Sequence, residues 1–149
     1  MRIAMTPLPV LVIEVDAIPS CPTCYGKAYG PVSLIRRAAD TSTTEAHEIT
    51  HARIWWTWML AGIALYYAAL HFGCPVAWAA LMLGMAGDGV AGKLVTAYRR
   101  WEEVTCFASE LDVLGWPEAQ ITLRAKWLAE AYDLGLTAAE AERLLRDRR

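Results

Sequence analysis

The sequence lacks a large net charge, and this excludes one broad class of partner. Its 14 lysines and arginines stand against 16 aspartates and glutamates, so the formal net charge is only −2. Binding to nucleic acid through phosphate neutralisation needs a strongly basic surface, and no nucleic-acid partner is predicted. The basic residues in RLLRDRR, at the end of the chain, are typical of a helix C-terminus, where the helix dipole favours cations.

The sequence also lacks a secretory signal with a clean cleavage site and a convincing disulfide framework. Cys21 and Cys24 form a Cys-x-x-Cys pair, but Cys74 and Cys106 lie far along the chain. We interpret the pair as a turn with two free thiols. A structural metal knuckle would need a second pair, and a redox pair would need a following helix. A cytoplasmic location is therefore expected, with membrane association as the open alternative.

Charged residues are absent from one long segment of the chain. Residues 54–87 contain no Asp, Glu, Lys or Arg, and the run exceeds the roughly 20 apolar residues of a membrane span. Its second part, 76–87, is short for a second crossing and is followed by Asp88. The segment therefore predicts a buried helical hairpin, a protein interface, or a hairpin lying partly in a membrane surface. In the last case the interfacial aromatic residues are Trp55, Trp56, Trp58, Tyr66 and Tyr67.

Strand and helix signals predict one domain over residues 1–149 of the α+β class, mostly α, with a short N-terminal sheet. Residues 1–41 form its strand and loop region. β-Branched residues predict a strand at 9–15, and PVSLIRR, at 31–37, predicts a second strand that is antiparallel to the first or at the sheet edge. The Pro, Ser and Gly residues of 18–30 predict a loop between them.

The remaining residues predict helices. Ser42 and Glu45 match a capping box, so the first helix is expected from about Thr43 and continues into the apolar hairpin 54–87. Together with a later helix it forms the active-site region, 42–115. The C-terminal region, 116–149, follows, and its last helix is capped by Thr137 with Glu140. Beyond the first helix, the expected helices are at 76–85, 93–114, 118–134 and 138–146.

The stretch HEITH carries the most specific chemical signal. On a helix, His47 and His51 lie on one face, because four residues make just over one turn. Two imidazoles at this spacing bind Zn²⁺, and Glu48, in the slot after the first histidine, would take the proton of a zinc-activated water. The alternative is a chance arrangement on a solvated helix face.

A catalytic zinc site needs a third protein ligand and leaves the fourth position for water. His71 would lie about 30 Å from His51 on an unbroken helix, which is too far. A carboxylate from a second helix is the better candidate, and WEEVTCFASELDVLG supplies Glu102, Glu103 and Glu110.

TTEAHEITHAR followed by WEEVTCFASEL resembles the small gluzincin-type (HExxH…E) zinc metallopeptidases, many of them encoded by phages and mobile elements. The resemblance implies a short sheet, a zinc-binding helix and a helical bundle. It implies that His47, His51 and Glu103 bind zinc, that Glu48 is catalytic, and that YGPVSLIRR is the edge strand along which peptide lies. Cys106 replaces a small alanine of the family pattern, and Glu102 remains an alternative ligand.

Three functions follow as hypotheses. The first is a zinc-dependent peptidase that acts on a peptide or protein substrate with Glu48 as general base. The second is a small helical membrane-associated or interaction protein that uses the hairpin 54–87, with zinc absent or only structural. The third is an inactive relative that keeps zinc for stability.

Tyr25, His71 and Tyr98 are candidate donors to a developing oxyanion, and spacing favours none of them.

Overall fold

The computed structural model describes residues 1–6, 8–19, 21, 23–37 and 41–149. It confirms the α+β, mostly α class, with a small N-terminal sheet followed by helices. The strands are β1 (Arg2–Thr6), β2 (Leu8–Val15), β3 (Gly26–Tyr29) and β4 (Val32–Arg36). The helices are α1 (Thr41–His71), α2 (Trp78–Leu94), α3 (Thr96–Leu114), α4 (Glu118–Glu130) and α5 (Ala138–Arg146).

The sheet has the strand order β1-β2-β4-β3, so β3 lies at one edge. β2 pairs antiparallel with β1 and parallel with β4, while β3 and β4 form an antiparallel hairpin. Two predictions are wrong here: β4 is an inner strand parallel to β2, and the expected loop 18–30 contains the edge strand. The short β3 sequence GKAY has no β-branched residue to reveal it. Gly30 supplies the left-handed conformation, with φ of 60°, for the tight turn into β4.

One face of the sheet packs against the first turns of α1. Val10, Val12 and Ile35 from the strands and Ala52 from the helix form this buried cluster. The Ser33 hydroxyl donates a hydrogen bond of 3.3 Å to the carbonyl oxygen of Glu48. These contacts fix the start of α1 against β3 and β4, which is where the chemical motif lies.

The second core lies between α3, α4 and α5. Leu111 is fully buried there. At the start of α5, the capping box predicted at Thr137 and Glu140 is confirmed. This core holds α3 in place beside α1. Its buried residues are Val104, Phe107, Leu111, Ile121, Ala125, Leu128, Leu134, Ala141 and Leu145.

Several helix boundaries differ from the prediction: α2 begins at Trp78 rather than at 76, α3 begins at Thr96 rather than at 93, and α4 ends at Glu130 rather than at 134. α1 begins at Thr41, so Ser42 lies inside its first turn rather than at the cap; Asp40 lies outside the described residues. α2 continues to Leu94 through a glycine-rich sequence that was expected to end it. Gly84 and Gly87 stay helical because they are buried at the contact with α1. Within the described residues, no helix is both long and apolar enough to cross a bilayer.

Candidate metal centre

The side chains at the centre come from α1 and α3, which pack side by side. His47 and His51, one turn apart on α1, place their Nε2 atoms 3.2 Å from each other. The Oε2 atom of Glu103, from α3, lies 3.7 Å from Nε2 of His47 and 3.8 Å from Nε2 of His51. The two motifs of the sequence thus meet at one point.

The spacing of these three atoms suits a zinc ion. Atoms at these separations all lie about 2.1 Å from the centre of the triangle that they form. Zinc bonds to imidazole nitrogen and carboxylate oxygen measure about 2.0 to 2.2 Å. A His₂Glu set of this kind leaves a further coordination position for water or substrate.

The carboxylate of Glu103 gives a second indication that a cation belongs here. Its Oε2 atom is buried and has no hydrogen-bond donor among the described residues. Burial raises the pKa of Glu103 above its ordinary value, although His51 and His47 act in the opposite direction. An unpaired buried carboxylate oxygen is costly to maintain, whereas the same oxygen is satisfied as a metal ligand.

Two further carboxylates lie at the Nδ1 atoms of the histidines, on the side of each ring away from Glu103. Oε1 of Glu102 lies 2.7 Å from Nδ1 of His51. Oε1 of Glu110 lies 2.8 Å from Nδ1 of His47, close enough for an ion pair but not aligned as a hydrogen bond. Carboxylates at the outer nitrogen of a metal-binding histidine orient the ring and raise its basicity. The geometry therefore favours Glu103 over Glu102 as the third ligand.

Glu110 is itself held in place by a buried arginine. Nε and Nη2 of Arg124, from α4, each lie 3.0 Å from Oε2 of Glu110. Both side chains are buried, so each charge needs the other. The core between α3, α4 and α5 therefore connects to the candidate metal centre through Arg124, Glu110 and His47 in turn. The sequence offered Glu110 only as a candidate ligand, and Arg124 carried no signal.

Cys106 is an alternative ligand that the sequence did not single out. Its Sγ atom and the ring nitrogens of His47 and His51 all lie within 4.8 Å of one another. Burial raises the pKa of the Cys106 thiol to about 12. The thiolate is the form that binds metal, and a bound cation would itself favour loss of the thiol proton.

Glu48 lies beside the candidate ligands, against the edge strand β3. A Cβ added at Gly26 would lie 2.6 Å from Cγ of Glu48, so the strand backbone touches this side chain. Burial raises the pKa of Glu48 to about 7, although His51 and a backbone hydrogen bond from Ala28 lower it. A carboxyl group with a pKa near the working pH is well suited to general base catalysis.

A cavity of about 420 Å³ opens over these residues. The candidate ligands and Glu48 line its floor, and one wall is the edge strand, at Gly26, Lys27 and Ala28. β3 pairs with β4 and with no other described strand. Backbone groups on the far side of such a strand can pair with an extended peptide.

The three predicted oxyanion donors do not line the cavity. Tyr25 is 59% exposed, and His71 is exposed at the far end of α1. Tyr98 donates a hydrogen bond to Asp88 and accepts one of 2.7 Å from Nε1 of Trp58. Tyr132 lines the cavity instead, and no spacing pattern in the sequence pointed to it.

Tyr132 has a hydroxyl that stays protonated. Burial raises its pKa above the ordinary value, and the charges of Glu103 and Glu48 raise it further. Its ring also packs edge-on against Phe107, with ring centroids 5.4 Å apart. A neutral O–H group on the cavity wall is a hydrogen-bond donor for a bound molecule.

The Cys-x-x-Cys pair differs from its prediction. Cys21 and Cys24 form a disulfide and are not free thiols, with their Cα atoms 5.4 Å apart. The turn bonds from Cys21 N–H to the carbonyl of Ile18 and from Cys24 N–H to the carbonyl of Cys21 bring the two residues together. Neither sulfur is then available as a metal ligand.

Comparisons of the chain with protein-family models, with curated proteins and with solved structures find no match. The resemblance to gluzincin-type peptidases therefore depends on the motif residues described above.

Proposed function

We propose that this protein is a zinc-dependent peptidase. His47, His51 and Glu103 hold the zinc, and Glu48 is the general base. The observation that carries the proposal is the triangle of Nε2, Nε2 and Oε2 atoms, at 3.2 to 3.8 Å. It lies beside a buried glutamate, on the floor of a cavity that an edge strand borders.

The zinc, when bound, lowers the pKa of a water molecule and polarises the substrate carbonyl. Glu48 accepts a proton from the attacking water as the new C–O bond forms. The same carboxyl group then donates that proton to the amide nitrogen as the C–N bond breaks, so the base is regenerated. Contact with β3 holds Glu48 in place. Burial raises its pKa to about 7, which suits proton transfer at neutral pH.

The substrate proposed is an extended peptide that lies along β3. This strand differs from the one that the sequence indicated, since YGPVSLIRR forms mainly the inner strand β4. Backbone hydrogen bonds to the edge of β3 would position the scissile amide over the zinc. Recognition of this kind is made through the peptide backbone of the substrate. It therefore depends on an extended conformation more than on particular side chains.

Metal removal tests the proposal. The purified chain is expected to hold one zinc and to cleave members of a quenched fluorescent peptide library. Treatment with 1,10-phenanthroline should abolish cleavage, and added Zn²⁺ should restore it, because the attacking water is activated only while the metal is bound. Cleavage that persists at full rate in the zinc-free protein would contradict the proposal, as would a zinc-loaded protein that cleaves no peptide of the library.

Gly26→Ala is expected to lower the hydrolysis rate while zinc is retained. The new methyl group would lie 2.6 Å from Cγ and 2.7 Å from Oε1 of Glu48, so this side chain must move. A displacement of about 1 Å at a catalytic group costs about 100-fold in rate. The measurement is kcat on the best library peptide, with zinc content determined on the same sample.

Gly89→Ala is the matched control, since a Cβ there meets nothing within 4 Å. It should leave both kcat and zinc content unchanged. Equal activity in the Gly26→Ala and Gly89→Ala proteins would show that the contact between β3 and Glu48 has no role in catalysis.

A further inference from the structure

The hairpin formed by α1 and α2 has small residues inside. The buried residues of α2 are Gly84 and Gly87. A Cβ on Gly62 of α1 would lie 2.6 Å from Cα of Gly84, and one on Gly87 would lie 2.5 Å from the ring of Trp58. The two helices thus approach each other backbone to backbone, a packing mode that membrane helices favour.

Beyond the first turns after Arg53, most large apolar side chains of this hairpin are exposed. Ten of them, between Leu60 and Met85, are 48% to 83% exposed. In a hairpin that folds in water, large apolar side chains would fill the contact between the two helices, and small residues could lie on the outer surface. The exposed set is Leu60, Leu65, Tyr67, Leu70, Phe72, Val76, Trp78, Met82, Leu83 and Met85.

The exposed apolar surface surrounds the hairpin. On α1 the exposed positions 60, 65, 67 and 70 cover more than half of the helix circumference, at about 100° per residue. A protein partner covers one face of such an element, whereas lipid covers every side that the hairpin itself leaves open. The distribution therefore favours lipid over a second protein chain.

The charges that flank the hairpin favour lipid as well. Residues 54–87 contain no ionisable Asp, Glu, Lys or Arg. Arg53 precedes them directly and Lys93 follows, and both are exposed. Asp88, which lies between, is only partly exposed and accepts a hydrogen bond from Tyr98. The exposed charges nearest to the two ends of the segment are thus cations, which anionic headgroups attract.

We propose that the exposed part of the hairpin, residues 60–85, inserts into one leaflet of a lipid bilayer, with the tip at Phe72 and Trp78 deepest. Phe72 is 83% exposed and Trp78 is 61% exposed. In this proposal the hairpin enters the leaflet without crossing the bilayer. Its glycine contacts hold the two helices together where lipid offers no hydrophobic force to do so.

This placement bears on the candidate active site. His51 lies three residues before Ile54 on the same helix, about 4.5 Å along its axis. The metal centre therefore stands at the base of the hairpin, next to the bilayer surface. If the proposed peptidase function holds, the substrate class is extended segments of membrane proteins that lie close to the bilayer.

Flotation with lipid vesicles tests the insertion. The full chain is mixed with vesicles of phosphatidylcholine, with or without phosphatidylglycerol, and centrifuged through a density gradient. The wild-type chain should float, more completely with the anionic lipid. Phe72→Asp/Trp78→Asp should lower the partition coefficient about 100-fold, since a carboxylate resists transfer toward hydrocarbon.

Val113→Asp/Leu123→Asp is the matched control. These residues are also exposed and apolar, at 52% and 37%, but they lie on α3 and α4. This variant should float like the wild type. Equal flotation of the tip variant would overturn the proposal. So would a wild-type chain that binds no vesicles but forms oligomers that the tip substitutions dissociate, because the occupant would then be a second copy.

A second measurement needs no substitution. Bromine atoms on the lipid acyl chains should quench tryptophan fluorescence of the wild-type chain, since Trp78 would lie among them. Bound protein without quenching would mean attachment through headgroups alone and would overturn insertion. Flotation and quenching depend on neither zinc nor hydrolysis, so their failure is distinguishable from failure of the proposed peptidase activity.

Discussion

Glu48→Gln is expected to keep its zinc and to lose peptide hydrolysis, with kcat falling about 100-fold to 10,000-fold. The amide has nearly the same shape as the carboxylate but cannot accept the proton of the attacking water. Glu48 is not among the three groups placed to bind zinc, and it lies against Gly26 and Ala28 of the edge strand. Zinc by elemental mass spectrometry and kcat on one peptide are measured on the same preparation.

Glu130→Gln is the control for this change. Glu130 is an exposed residue at the end of α4, so the same substitution there should alter neither quantity. Full activity in the Glu48→Gln protein would eliminate Glu48 as the general base. Loss of zinc from that protein would instead place Glu48 among the ligands.

Glu103→Ala is expected to weaken zinc binding by more than about 100-fold. Loss of a partner behind a metal ligand already costs about 10-fold to 100-fold, and Glu103 supplies a ligand atom itself. Its Oε2 atom lies within 3.8 Å of both histidine Nε2 atoms. The measurement is zinc affinity by competition with a chromogenic chelator, followed by peptide hydrolysis at saturating zinc.

Two neighbouring variants distinguish Glu103 from its competitors. Glu102→Gln should reduce zinc affinity only about 10-fold to 100-fold, because Glu102 contacts the outer nitrogen of His51. Cys106→Ala should retain zinc. If Cys106→Ala loses the metal and Glu103→Ala keeps it, the ligand set is His₂Cys, and the proposed catalytic arrangement is wrong.

The part of the site that could be predicted from the sequence is the part set by one helix. Spacing alone brings His47 and His51 together, since four residues return the chain to the same helix face. The choice between Glu102 and Glu103 depends on how α3 is rotated against α1, because neighbouring residues point about 100° apart. That rotation is set by the core around Leu111, which no local pattern reports.

The edge strand and the hairpin show the same limit. β3 is a strand because β4 pairs with it, not because GKAY favours one. In the hairpin, composition indicates an apolar segment but not which side chains face inward. The observed packing depends on glycines meeting across two helices, which is a tertiary contact. Tyr132 and Arg124 likewise reach the site only through the packing of the C-terminal helices.

The order of the ligands along the chain has a mechanical consequence. The chain leaves the candidate metal centre after His51 and returns at Glu102, a separation of 51 residues, and the apolar hairpin lies entirely between them. A zinc ion shared by α1 and α3 would therefore act as a cross-link that closes this loop and ties the two ends of the hairpin together. Closing a long loop removes conformational freedom from the unfolded chain, so bound metal would also fasten the hairpin to the rest of the protein.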